Sequence, residues 1–325
     1  MNQLSDFRFV LQFVICISDM EIRILGKDEL MERLQQFCDL YHCCFNDKID
    51  EVIVSQRYLQ NPLDELAMCV AIDKEKIVAN YSVSPSWIVS GNVRFKCALS
   101  LNTMTHPDYI GQGLFVKLAS TLYGHLQENG YAMVYGFPNY ISNRTFLTKL
   151  GWKNIYEYPT LELTIESSIP FEKRNLRELD DVSVIPNIQS ENLYVDKNID
   201  YLQWRYVEKP NVEYHFLMTG NGGWCVYKRY EDMYNIVELH TESVLDVNDF
   251  VGFITAKAKQ NGLKKLTVWS AINSKQHLAL EKLGFRNRYP ITYFGAVDLG
   301  ISSSVCFDVF DHRNWLINMG DDNVY

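Results

Sequence analysis

The chain has 325 residues, 47% of them apolar and 13% aromatic, more than one hydrophobic core usually accommodates and enough for two. Its 22% of charged residues is ordinary for a folded protein and excludes global disorder. A formal charge of -9 excludes a sequence-independent nucleic-acid binder, which needs a basic face against phosphate, yet leaves room for a local basic pocket around a small anion.

Residues 9–17 (FVLQFVICI) form the segment most like a targeting sequence, but the run is too short to span a bilayer, contains a glutamine and lacks a small-residue cleavage site. From Met20 the text reads as a short alternating strand and then a helix. Met20 is therefore a candidate start, with residues 1–19 an extension of unassigned role. Alternating or apolar runs predict strands at 67–71 and 77–83, then a long extended run at 93–105 that ends in a turn at Pro107, Asp108 and Gly111. Leu114, Leu118, Leu122 and Leu126 recur at helical spacing and predict a helix over 114–129, ended by Gly130. A buried strand at 132–136, a short helix at 145–150 and a strand or strand pair at 155–165 bring the first half to about Pro170. The second half offers strands at 214–218 and 223–227, an extended stretch at 236–240, a helix at 247–261, a strand at 266–269, a helix at 274–283 and strands after Ile291. Strand, helix, strand, helix, strand in each half predicts a mixed α/β fold with a central sheet. The eight cysteines contain no C-x-x-C pair and no zinc-ligand spacing; most sit in apolar runs, as small core residues of a protein in a reducing compartment, the cytoplasm.

Two phrases recur in the same order. Arg57, Tyr58 and Pro62 of an R-Y-x-x-x-P phrase return as Arg205, Tyr206 and Pro210, and Leu147 to Trp152 (LTKLGW) is answered by Leu280 to Phe285 (LEKLGF). The pairing predicts a duplicated domain, 20–170 and 171–325. Against it stands the ordinary chemistry of helix ends, where leucine, glycine and an aromatic often follow one another.

The stretch from Asn102 to Phe115 (NTMTHPDYIGQGLF) is a strand, a glycine-bearing turn and the start of a long helix. Gly111 and Gly113 let backbone amides converge without a Cβ in the way. A helix start presents unpaired N–H groups and a positive dipole end, which together suit a pyrophosphate without basic side chains. The spacing is neither G-x-G-x-x-G nor G-x-x-x-x-G-K-[ST]. An anion site and a tight turn whose glycines serve geometry alone both fit it. In the second half the corresponding text, TESVLDVND, is acidic and lacks glycine, so Glu242, Asp246 and Asp249 would repel a pyrophosphate.

Over these residues the chain resembles the GCN5-related N-acetyltransferase (GNAT) superfamily, and its tandem-domain members in particular. The signature [Q/R]-x-x-G-x-[G/A] falls on Ile110 to Phe115, with Ile110 in place of the polar residue and Phe115 in place of the small one. His106 to Tyr109 before it, Gly136 to Asn139, Leu147 to Trp152 and the closing Gly320, Asp321, Asp322 are also similar to the family. The resemblance implies two tandem acyl-CoA N-acyltransferase-like domains, mixed α/β, with acetyl-CoA held by the first. It places the pantetheine arm along Thr103, Met104 and Thr105, and the pyrophosphate on Gly111, Gln112, Gly113, Leu114 and Phe115. It implies direct attack by a primary amine of a small molecule, an amino sugar or sugar nucleotide in the first instance. Candidate catalytic residues are Tyr140, or Tyr135, as the acid, since Leu147 stands where the family often has tyrosine, and His106, Asp108, Asp321, Asp322 or the Tyr325 carboxylate as the base. Asn139 and Asn143 are candidate substrate contacts. No metal, nucleic acid or membrane insertion is implied, and a homodimer is compatible with it. The alternative is a catalytically degenerate acyl-CoA-binding or scaffold protein.

Overall fold

A computed structural model describes residues 20–166 and 169–325; the expectations placed on residues 1–19 fall outside them. The first half runs β1 (Glu21–Ile24), α1 (Lys27–Glu32), α2 (Leu34–Phe45), α3 (Glu51–Leu59), β2 (Ala67–Asp73), β3 (Lys76–Ser90), β4 (Val93–Thr105), α4 (Leu114–Glu128), β5 (Met133–Gly136), α5 (Tyr140–Lys149) and β6 (Lys153–Thr164). The second runs β7 (Leu176–Leu179), β8 (Tyr194–Val195), α6 (Ile199–Leu202), β9 (Tyr214–Thr219), β10 (Trp224–Tyr230), β11 (Met233–His240), α7 (Val244–Gln260), β12 (Lys265–Trp269), α8 (Lys275–Lys282) and β13 (Arg286–Asp298). The leucine stripe of α4 is buried, as its helical spacing requires. α5 begins at Tyr140 rather than at the predicted residue 145. The Asn139 side chain accepts from Ser142 N at 2.9 Å and starts the helix a turn earlier than the apolar pattern suggests.

The strands form one continuous sheet in the order β1-β2-β3-β4-β5-β13-β6-β12-β11-β10-β9-β7, with β8 beside β3. Among the described strands only β4–β5 and β11–β12 pair in parallel. From its outer edge inwards each half repeats one pattern: an edge strand (β1, β7), an antiparallel meander (β2–β4, β9–β11), then a parallel neighbour (β5, β12) reached through a long helix (α4, α7). The closing strands are traded. β6 leaves the first half to pair with β12, β13 leaves the second to pair with β5, and the two pair with each other.

One apolar cluster packs α4 and α5 on the sheet, a second packs α7 and α8, and a third seats α1–α3 on the other face around Met104. The largest joins the halves, with Tyr135, Phe294, Trp224, Trp269 and Trp315 in contact across the seam. The described cysteines are all free, and no helix among the described residues is long and apolar enough to cross a membrane.

Candidate functional site

The parallel pair β4–β5 opens into a fork. β5 pairs with β4 only at Cys97, Ala98 and Leu99, while β4 runs on to Thr105. From Ser100 to Thr105 the second edge of β4 has no strand beside it among the described residues. A shift in the β3–β4 register bulges the chain at Leu101 and Asn102, where Asn80 Nδ2 donates to the Asn102 main-chain oxygen at 2.9 Å. Free backbone groups on such an edge can bind an extended amide-bearing arm as a further strand would.

At the end of β4 the chain turns into α4. Gly111 and Gly113 have φ of +86° and +75°, the left-handed region in which glycine alone is unstrained, and Gly113 is the N-cap of α4 without any side-chain cap. A Cβ placed on either glycine would meet nothing within 4 Å, so the space above the turn is open. The first amides of α4 thus face an open corner with the positive end of the helix dipole behind them. Ile110, where the resembling signature is polar, is 69% exposed. Phe115, the other departure, turns inward onto Phe146, ring centroids 5.1 Å apart, and needs no small residue. The open β4 edge and the uncapped glycine turn suit the pantetheine arm and pyrophosphate of a CoA thioester.

The same corner in the second half is already filled. Asp246 Oδ2, in the first turn of α7, accepts from Glu242 N and Ser243 N, each at 2.8 Å. Besides the repulsion expected from these acids, Asp246 is bonded to amides a phosphate would need. Asp246→Ala is expected to lower stability by about 1 kcal/mol, the usual cost of a lost cap, read as a shift in the urea midpoint.

Of the predicted cofactor contacts, Met104 is buried against α2 and α3, and Thr103 and Thr105 are half-buried on the open part of β4. Gln112 is half-buried between the two exposed glycines, and Leu114 is buried. His106 caps the turn that follows β4: its Nδ1 accepts from Asp108 N at 3.3 Å, and its ring packs edge-on against Tyr109. Asn139 is engaged in capping α5, Asn143 is buried in that helix, and Tyr140 is 81% exposed at its first position. Leu147 is half-buried in the core under α4 and α5.

Asp322 and Tyr325 lie elsewhere, in a tail folded back between the halves. The main-chain oxygens of Gly320, Asp322 and Tyr325 all accept from Arg205, and that of Tyr325 also accepts from Lys209 Nζ at 2.8 Å. Burial pushes the Asp322 carboxyl up to about 6 against the pull of Arg205 and Lys209. The same burial, helped by Asp322, pushes the Tyr325 phenol up to about 12. Next to this tail lies a cavity of about 370 Å³ that reaches Asn102 on the β4 bulge. It is lined in part by Arg57, Arg205, Lys209 and Lys228, none of which was singled out as a site residue from the sequence. Neither His106 nor Tyr140 lines it, and of the tail Asn323 and Val324 line it while Asp322 stands one residue behind.

Beside the tail sits a buried charge network. Lys197 Nζ donates to Glu238 Oε1 at 2.6 Å and to Asp321 Oδ1, while Tyr206 donates to Glu238 and His240 Nε2 lies 2.8 Å from Glu238 Oε2. Asp321 belongs to this network and is 1% exposed. It holds the tail in place.

Residues 22–155 match the family model described as an acetyltransferase (GNAT) domain. No curated protein matches the chain in sequence. Among solved structures the chain is similar to a GCN5-related N-acetyltransferase from Anabaena variabilis, at 16% identity over 87% of this chain and 73% of that one, with a TM-score of 0.65. It is similar to a GCN5-related N-acetyltransferase from Kribbella flavida at 11% identity, over 88% and 74% of the two chains, with a TM-score of 0.63. Eis1 from Mycobacterium abscessus gives 12% identity, 88% and 75% coverage and a TM-score of 0.59. With a forked parallel pair, a glycine turn opening α4 and these likenesses in hand, the chain has the fold of the GCN5-related N-acetyltransferases.

Proposed function

We propose that the protein transfers an acyl group, acetyl in the first instance, from a CoA thioester to a primary amine of a small molecule. In this reading the chain is two acyltransferase-like domains, 20–170 and 171–325, and the cofactor is held by the first. The observation that carries it is the contrast between the two equivalent corners: open and glycine-lined before α4, occupied by Asp246 before α7.

Acyl-CoA supplies a thioester whose carbon–sulfur bond breaks as the acceptor nitrogen bonds to the acyl carbon, with a thiolate leaving. Amides at Gly111 to Leu114 hold the pyrophosphate, and the unpaired edge of Ser100 to Thr105 holds the pantetheine arm. A backbone N–H of the Met104 region steadies the negative charge that develops on the acyl oxygen. Asp322 takes the amine proton, directly or through water. A carboxyl raised to about 6 is ionised at neutral pH and basic enough to accept a proton. A thiolate is a good leaving group, so a half-buried Leu147 in place of an acid is no obstacle.

Asp322 acts as its anion, so activity is present above its pKa and lost below it. Acetyl-CoA-dependent thiol release should therefore fall as pH drops through about 6. Asp322→Asn should lower kcat by about 100-fold or more and remove that acidic limb. A variant that keeps both the rate and the limb would end the assignment of the base. Release of thiol across amino sugars, sugar-nucleotide amines, amino acids, polyamines and peptides tests the activity itself. CoA binding without turnover for any acceptor would favour the scaffold alternative.

A further inference from the structure

The repeated Arg-Tyr-x-x-x-Pro phrase has no part in the chemistry above, yet its two copies converge. Both tyrosines are buried, Tyr58 against Ser82 Oγ at 2.9 Å and Tyr206 against Glu238. Both arginines, Arg57 in α3 and Arg205 in the π-turn Gln203–Val207, line the cavity beside the β4 bulge, one from each half. Lys209 and Lys228 add two further cations.

Arg205 and Lys209 are committed to the main-chain oxygens of the folded-back tail. Among the described residues, neither Arg57 nor Lys228 makes an ion pair. Lys228 is only 6% exposed, and its Nζ has the rings of Tyr214 and Tyr325 as neighbours, 5.8 and 5.9 Å away, in place of an acceptor. Burial and the adjacent Arg205 hold its pKa down to about 8, with no carboxylate acting to raise it. The charge of Asp322 acts instead on Arg205 and Lys209. On the same cavity wall Asn102 has a buried Nδ2 with no acceptor. A buried ammonium faced by rings alone and a buried amide donor without an acceptor are costly, and an incoming anion, met also by the half-buried Arg57, would lower that cost.

We propose that this cavity receives the acceptor and that the acceptor is an amine bearing an anionic group, a carboxylate or a phosphate, bound by Arg57, Lys228 and Asn102 Nδ2. The proposal rests on the acyltransferase reading, because Asn102 belongs to the bulge at the fork where the thioester would end. Arg57 supplies a planar fork suited to either oxyanion and Lys228 a point charge. The same charges reject a purely cationic amine such as a polyamine.

Calorimetric titration of the full chain, with and without CoA, against two matched pairs tests this. The pairs are glucosamine with glucosamine 6-phosphate, and L-phenylalaninamide with L-phenylalanine. The anionic member of at least one pair should bind roughly 10- to 100-fold tighter than its partner, and the pair that discriminates tells phosphate from carboxylate. Arg57→Gln and Lys228→Met should each remove most of that advantage while CoA affinity stays within about 2-fold. Arg57 is half-buried on a helix, so its variant keeps the test intact should the buried Lys228→Met fail to fold. Equal binding within both pairs, or an advantage that survives Arg57→Gln, overturns the proposal. Discrimination without CoA binding would instead leave the anion site standing and sink the acyltransferase reading.

Discussion

Lys197→Met is expected to lower the unfolding free energy by about 3–5 kcal/mol, the largest stability loss anticipated for a single change away from the apolar clusters. The Lys197 side chain is 2% exposed and lies between Glu238 and Asp321, whose side chains are wholly buried. Burial alone would push its pKa down, but Asp321 and Glu238 pull it above its ordinary value. The carboxyls answer in opposite directions. Burial pushes Glu238 up, yet Lys197 and His240 bring it below its usual range, whereas for Asp321 burial wins over Lys197 and its pKa rises. Removing the ammonium strands two carboxyls in a site without water to solvate them. Adding Glu238→Gln to Lys197→Met should recover part of the loss, since one buried carboxyl fewer, Asp321 alone, is then left without the ammonium. Urea unfolding measures both variants. A loss below about 1 kcal/mol would mean that the network behaves as a solvated surface pair, contrary to its burial.

The second large effect concerns the glycine turn. Gly113→Val should weaken CoA binding by about 10-fold or more and cost roughly 1–2 kcal/mol of stability, because a branched residue must enter the left-handed region. No steric clash adds to that cost, since a Cβ at Gly113 meets nothing within 4 Å. Gly130 just past the C-terminus of α4 provides the control: its φ is +77° and its surroundings are equally open. Gly130→Val should destabilise to a similar degree and leave CoA affinity unchanged. Thermal shift with and without CoA reads both terms at once. Parallel losses of affinity in the two variants would refute a phosphate cradle at Gly113.

Several of these features were legible in the sequence. The bounds 93–105 predicted for β4 are those observed, and the four leucines of α4 are buried as their spacing implied. Both patterns are local, set by a strand's extended run or a helix's period, and need no knowledge of a partner. What could not be read was which strands would lie together. β6 and β13 have the composition of ordinary closing strands, and their trade depends on register with β12 and β5, more than a hundred residues away in sequence. The hydrogen bonds of Asp246 were hidden for a related reason. Its charge was visible, but the amides it would accept from are presented only once Ser243 caps α7. The R-Y-x-x-x-P repeat was visible as a likeness, while the meeting of Arg57 and Arg205 is a product of the fold.

The traded strands bear on how the chain reaches its native state. β13 emerges from the ribosome after α8, long after β5 and β6, so the first half waits through about half of synthesis with the inner edge of β5 uncovered. An uncovered edge of this kind can recruit a strand from a neighbouring chain, and pairings so remote in sequence are slow to form. A fragment ending near residue 170 would lack the strand that closes its own sheet while carrying β6, which belongs in the other half's sheet. Neither half is therefore a unit of inheritance that could be cut out and moved to another protein; the trade ties the glycine turn and the cationic cavity to the fate of a single polypeptide.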